Sequence, residues 1–200
     1  MVAKKQYHLV IFGGQGSGKG TQARILEKKL GVVYIGLGDL LRELADENHP
    51  TAKKVRQTLA VGDLMPDEFM NQMVALKLGN IPPIVGFILD GYPRTVAQAA
   101  GLHQTLAGLT RLIPKPIFIN LEAPKSELLK RLHKRRELEN REDETDEAIA
   151  RRLSIYEERT KPVLDSVGAW ANILHVNGHQ PIAKVTDEIL EKLENHEART

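Results

Sequence analysis

A strand-like apolar run, a glycine-rich turn and a helix-like stretch follow one another near the start of this 200-residue chain. No other feature narrows its fold as much. Residues 8–12 read HLVIF, followed by Gly13, Gly14, Gln15, Gly16, Ser17, Gly18, Lys19, Gly20 and Thr21, and helical spacing of apolar residues then sets in. This is the setting of a phosphate-binding loop, or P-loop. Glycines let backbone N–H groups curl around an anion with no Cβ in the way, and the following helix offers its positive end. Lys19 then has the reach for β- and γ-phosphates, and the Thr21 hydroxyl lies near the place for Mg²⁺. The strict pattern has Ser or Thr directly after the lysine, whereas here Gly20 intervenes. The loop implies a bound nucleoside triphosphate without separating a kinase from a GTPase or a motor. An Asn-Lys-x-Asp string that would read guanine is absent from the sequence.

Four more short apolar runs, at 32–35, 87–89, 117–121 and 173–176, alternate with stretches of helical period. The helical stretches fall at about 19–30, 40–47, 52–61, 67–78, 96–109, 125–136, 146–164 and 182–193. That rhythm predicts an α/β fold: a three-layer α/β/α P-loop domain around a five-stranded parallel sheet. The strand runs lack in/out alternation, as expected when helices cover both faces. The length fits a single domain over residues 1–200. With 28 Lys and Arg against 26 Asp and Glu, the charge of +2 argues against a nucleic-acid partner. The absence of cysteine excludes disulfides and thiolate metal sites and suits a cytoplasmic location. No apolar run approaches the ~20 residues of a membrane helix, and no signal peptide fits the start, so no membrane partner is expected.

A second motif lies at 87–95, reading FILDGYPRT. Asp90 at the carboxyl end of a buried-type strand, close to the phosphate loop, is placed to hold Mg²⁺ through water. Arg94, on the turn that follows, can bridge phosphate oxygens of two substrates. One further segment, 131–147, is almost wholly charged. By itself it reads as a solvated helix face or loop.

Taken together, GGQGSGKGTQ at 13–22, GDLLR at 38–42, GDLMPDE at 62–68 and FILDGYPRTVAQA at 87–99 make the chain closely similar to the nucleoside monophosphate kinases. Within them it resembles the short-lid adenylate kinases. That resemblance implies a transferase using ATP and AMP, with a helical monophosphate-binding insertion at 36–65 and a short lid at 135–145. It implies that Gly16, Ser17, Gly18, Lys19, Gly20 and Thr21 wrap the ATP phosphates, with Arg131 and Gln180 near the ATP base and Arg135 as a clamp. On the AMP side it implies Leu37, Arg42, Asp63, Leu64, Met65, Gly91, Tyr92, Pro93, Arg94 and Gln98, with Asp39 and Arg42 opening the insertion. Arg141 and Arg152 would reach phosphates across the cleft, joining Lys19, Arg94 and Arg135 as the catalytic cations. Thr21 and Asp90 would hold Mg²⁺ through water; structural zinc is not expected without cysteine. The implied state is a monomer. His133 reads as a surface residue, and no general base is assigned, because phosphoryl transfer to an existing anion needs alignment and charge stabilisation.

The chain departs from the resemblance in places. Gly36 and Leu37 stand where the family usually has Ser-Thr, so a hydroxyl facing the AMP base is missing. Gln15 replaces a frequent proline, and Gln180 a frequent lysine. Two other readings stay open: a uridylate/cytidylate kinase of the same fold, and a P-loop protein that binds nucleotide without turning it over.

Overall fold

The computed structural model describes residues 6–46, 50–82, 84–109, 115–139 and 145–198. Five strands, β1 (His8–Gly13), β2 (Val33–Gly36), β3 (Phe87–Asp90), β4 (Ile117–Glu122) and β5 (Asn172–Asn177), pair in parallel in the order β2-β3-β1-β4-β5. Parallel neighbours need crossovers, and helices supply them. Between β1 and β2 runs α1 (Lys19–Leu30); between β2 and β3 run α2 (Leu37–Asp46), α3 (Pro50–Ala60) and α4 (Asp67–Gly79). Then come α5 (Val96–Gly108) before β4, α6 (Lys125–Glu139), α7 (Asp146–Ile155) and α8 (Val163–Val167) before β5, and a final α9 (Ile182–Glu197).

Successive residues of one strand serve opposite layers, which is why the apolar runs show no alternation. Val10, Phe12, Leu89 and Phe118 face a core shared with Val74 and Leu78 of α4, Leu102 of α5 and Val163 and Val167 of α8. Leu9, Ile11, Ile88 and Ile119 face the other way, onto Ala23 and Leu26 of α1 and Val185, Ile189 and Leu193 of α9. The expected three layers and five parallel strands are therefore present. The two edge strands are the exceptions to full burial: in β2 Val33 is exposed and Tyr34 half-buried, and in β5 only Val176 is buried and His175 is exposed.

The register brings the functional turns together. Ile11 pairs with Asp90, and Asp90 with Gly36, so the chain leaves β1, β2 and β3 at the same edge of the sheet. From β1 the chain runs out to β2, returns to β3, and only then crosses to β4 on the other side of β1. Ligands of open α/β sheets bind in the crevice outside the carboxyl ends at such a reversal. A third apolar cluster, Leu128 and Leu132 of α6 against Ile149 and Leu153 of α7, packs over this edge and carries Arg131, Arg135 and Arg152 towards it.

Three elements differ from the sequence-based expectation. The stretch 146–164 is not one helix: α7 passes into a π-helical turn, Tyr156–Thr160, and α8 begins after Pro162. The wider turn aims the Thr160 hydroxyl at the backbone of the Arg94 turn, donating to Arg94 O at 2.9 Å. Helix α6 continues to Glu139, three residues past the expected end at 136. Helix α2 starts at Leu37, earlier than the periodicity suggests, with Asp39 in its first turn where a carboxylate favours the helix dipole. Among the described residues, no helix is long and apolar enough to cross a membrane.

Phe118 is fully buried, with its ring centroid 6.4 Å from that of Phe12 and 5.9 Å, edge-on, from that of Trp170. Truncating it leaves a cavity in the layer under β1. The Phe118→Ala variant is expected to lose about 3–5 kcal/mol of unfolding free energy, measured by urea denaturation.

Candidate active site

The phosphate loop ends at Gly18, which caps α1 in the left-handed region (φ 95°) and supplies no side chain to the helix's first N–H groups. No acidic residue occupies the first turn. Left without a side-chain cap, these donors, with the helix dipole behind them, suit an oxyanion. A Cβ at Gly16 would lie 2.6 Å from Leu128 O, so the loop can lie against α6 only with glycine there. Lys19 folds back over the loop, its Nζ donating to Gly13 O and Gly14 O at 2.8 Å each. Burial lowers its pKa to about 8; Asp90 opposes the shift, and Arg94 and Arg135 add to it.

Around the loop opens a cleft of about 630 Å³. Its walls bring together most of the residues singled out in the sequence. The loop contributes Gly16, Gly18, Lys19, Gly20 and Thr21. The stretch between β2 and β3 contributes Leu37, Arg42, Asp63, Leu64 and Met65; the β3–α5 region contributes Asp90, Gly91, Arg94 and Gln98. Helices α6 and α7 add Arg131, Arg135 and Arg152. Guanidinium groups from four separate segments thus face one space.

Their mutual crowding is visible in the charge balance. Burial brings Arg94 down to about 10, with Asp90 opposing and Arg152 and Arg42 reinforcing. Its Nε donates to Gly91 O at 2.9 Å, and Arg152 Nη2 donates to Leu59 O at 3.2 Å, which fixes both on backbone carbonyls. Burial also raises the pKa of Asp90, against the pull of Lys19 and Arg94. Such an excess of desolvated positive charge is a place for anions. Gln98 is buried with its amide orientation determined: Oε1 accepts from Arg94 N at 2.7 Å and Nε2 donates to Asp67 Oδ1 at 2.9 Å. An amide has a second lone pair and a second N–H, so a base edge can still be read.

Four sequence-singled residues lie elsewhere. Ser17 is 2% exposed and sits beneath the loop, its N–H donating to Gly14 O at 3.1 Å. Tyr92 is equally buried, its hydroxyl 2.7 Å from Asn71 Oδ1 and 2.9 Å from Gln98 O; with Pro93 it borders a small hollow behind Arg94. Gln180 turns its amide to Glu188 of α9, and Ile182 lines the cleft at that end. Arg141 falls outside the described residues. Leu37 touches the cleft but is 1% exposed and belongs to the core, filling with hydrocarbon the position where the family's hydroxyl would stand.

Tyr34 and Arg24 are among the wall residues that the sequence motifs do not mark. The Tyr34 hydroxyl lies 3.3 Å from Asp39 Oδ2 and 3.3 Å from Asp90 Oδ2, and the Arg24 guanidinium stacks 3.7 Å above the Tyr34 ring. Burial, with these two carboxylates, pushes the phenol pKa up.

The donors fit a hard divalent cation. Asp90 Oδ2 comes within 3.3 Å of where a Gly20 Cβ would stand, beside Thr21 at the mouth of the loop. Among the described residues, no group of three or more His, Cys, Asp or Glu could hold a metal alone. Mg²⁺ characteristically takes one or two carboxylates and completes its shell with water and substrate phosphates.

A phosphate loop facing a second cationic wall defines a P-loop protein of the nucleoside monophosphate kinase class. Comparison with known proteins narrows this. The adenylate kinase family model matches residues 11–171. An adenylate kinase of Xylella fastidiosa is 37% identical over 182 residues, covering 91% of this chain and 96% of the relative. One from Micrococcus luteus is 37% identical over 183 residues, covering 92% and 88%. One from Desulforamulus reducens is 35% identical over 210 aligned positions, covering 92% and 98%. The chain belongs to the adenylate kinase family.

The lowered Lys19 pKa has a measurable consequence. Between the value of about 8 in the folded chain and the ordinary 10.5, the unfolded chain binds the extra proton. This group's contribution to stability therefore rises with pH through that window. Phosphates placed beside Lys19 restore its proton. ATP binding near pH 8.5 is expected to take up a proton, read as a dependence of calorimetric enthalpy on buffer ionisation enthalpy, and Lys19→Met should remove the uptake.

Proposed function

We propose that this cleft moves the terminal phosphoryl group of ATP to AMP, reversibly, giving two ADP. The observation that carries the reading is the convergence of Lys19, Arg42, Arg94, Arg131, Arg135 and Arg152 from separate segments on one cleft. Binding one nucleotide would use the loop alone. A second set of cations on the opposite wall suits a second phosphorylated ligand lying tail to tail with the first.

In this reading the α1 N–H groups and Lys19 hold the ATP phosphates, and Arg131 and Arg135 close on them from α6. Arg42 receives the AMP phosphate, and Gln98 reads its base, with Asp63–Met65 along the nucleoside. Arg94, between the two walls, bridges the transferred group. Arg141 and Arg152 complete the shell, and the segments 36–65 and 135–145 act as insertion and lid. Mg²⁺, carried with ATP and held by Thr21 and Asp90 through water, would neutralise phosphate charge. The acceptor phosphate is already anionic, so the side chains align, exclude water and stabilise spreading charge without removing a proton. The cysteine-free, nearly neutral composition supports a cytoplasmic location without a nucleic-acid partner, the lack of a long apolar run argues against a membrane partner, and the monomeric state is what the family resemblance implies.

The test is ADP formation from ATP with AMP, UMP, CMP or GMP as acceptor. AMP is expected to be preferred. A preference for UMP or CMP would assign the uridylate/cytidylate activity, and no turnover with any acceptor would leave a binding protein. Within the active enzyme, Arg94→Ala is expected to lower kcat by roughly 10³, with little change in Tm, because the guanidinium it removes is crowded by Arg42 and Arg152. Replacing Leu37 by Thr is expected to sharpen preference for AMP by about fivefold, the worth of one hydrogen bond, in the same acceptor assay.

A further inference from the structure

Tyr34 stands between the ends of β2 and β3 and the first turn of α2. It lies on β2, two residues before Gly36 and on the same side of the strand. Gly36 pairs with Asp90 of β3. A Cβ at Gly36 would fall 2.2 Å from the Tyr34 hydroxyl oxygen and 2.6 Å from Cζ. Any side chain at 36 would therefore evict the phenol from its position. The unusual glycine at 36 and the tyrosine at 34 are one structural unit.

The phenol reaches two carboxylates of different origin. Asp90 ends a core strand, whereas Asp39 lies in the first turn of α2, the first helix of the insertion. One hydroxyl proton is shared between Asp39 Oδ2 and Asp90 Oδ2, each at 3.3 Å. Without it the two anions repel. Asp39 has other partners to follow, Arg42 at 2.6 Å and Arg24 at 3.4 Å. Arg24 covers the ring face at 3.7 Å, which fixes the phenol plane while its charge offsets that of Asp39.

We propose that Tyr34 is a positioning residue that holds the Asp39 and Asp90 carboxylates together at the mouth of the phosphate loop, so that they receive a divalent cation carried by nucleotide phosphates, with Gly36 making room for it. The proposal rests on the reading of the cleft as a nucleotide site. It concerns the cation and not the nucleotide, because Tyr34 faces the two carboxylates and none of the arginines assigned to phosphates.

The experiment titrates Mn²⁺ into the protein–ATP complex, reading free Mn²⁺ by electron paramagnetic resonance, beside calorimetry of ATP binding in EDTA. Tyr34→Phe keeps the ring and the Arg24 stack and deletes only the hydroxyl. It is expected to weaken Mn²⁺ binding roughly fivefold, with metal-free ATP affinity unchanged. Gly36→Ser should weaken Mn²⁺ binding in the same way in the parent chain and much less in a Tyr34→Ala background, where nothing is evicted. Unchanged Mn²⁺ affinity in Tyr34→Phe overturns the proposal. So does an equal loss of metal-free ATP affinity, which would mark a merely structural role. Failure of the parent protein to form ADP would instead count against the phosphotransfer reading, since the Mn²⁺ titration does not depend on turnover.

Discussion

Bringing several cations into one desolvated cleft is the constraint on which the rest of this structure depends. Each of these groups loses hydration on burial, and neighbours of like sign add to the cost. Lys19 and Arg94 both show it, with pKa values pushed down to about 8 and about 10. Asp90 offsets only part of that charge. The fold tolerates the arrangement because backbone carbonyls take up the donors: Gly13 and Gly14 for Lys19, Gly91 for Arg94, Leu59 for Arg152. A protein that had only to be stable would not gather these side chains. The strain is relieved when polyanions arrive, which is how binding energy becomes alignment of two substrates.

The architecture supplies that convergence economically. Parallel strands put every βα turn at one edge, so the loop after β1, the insertion after β2 and the turn after β3 become neighbours without long excursions. The Leu128–Leu132–Ile149–Leu153 cluster then sets α6 and α7 over the same edge, with Arg131, Arg135 and Arg152 lining the cleft. The π-helical turn at Tyr156–Thr160 serves this purpose as well, tying the Arg94 backbone to the far layer.

Much of this was legible in the sequence, for identifiable reasons. The five strands are continuous apolar runs, and the loop glycines and FILDGYPRT are local patterns whose chemistry is carried by adjacent residues. What was not legible depends on distance in space. Helical periodicity runs straight through residues 146–164, so a wider turn inside it leaves no trace in the spacing. The Tyr34 contacts join residues five and 56 positions apart, and only the glycine at 36 hinted at a side chain needing room there. Tyr92 belongs to a string that matches the family and Gln180 stands where the family frequently has lysine, yet their polar groups are spent on Asn71, Gln98 and Glu188. A matching string places a residue near the site without saying which way its side chain faces.

The proposed transfer requires that two nucleotides occupy the cleft at once, joined through their phosphates. A crystal structure with a bisubstrate analogue, two adenosines linked by five phosphates, tests it directly. One adenosine should lie by Arg131 and Ile182, the other against Gln98, with the phosphate chain running past Lys19 and Arg94. An analogue bound by only one of its adenosines, the other left in solvent, would contradict the account.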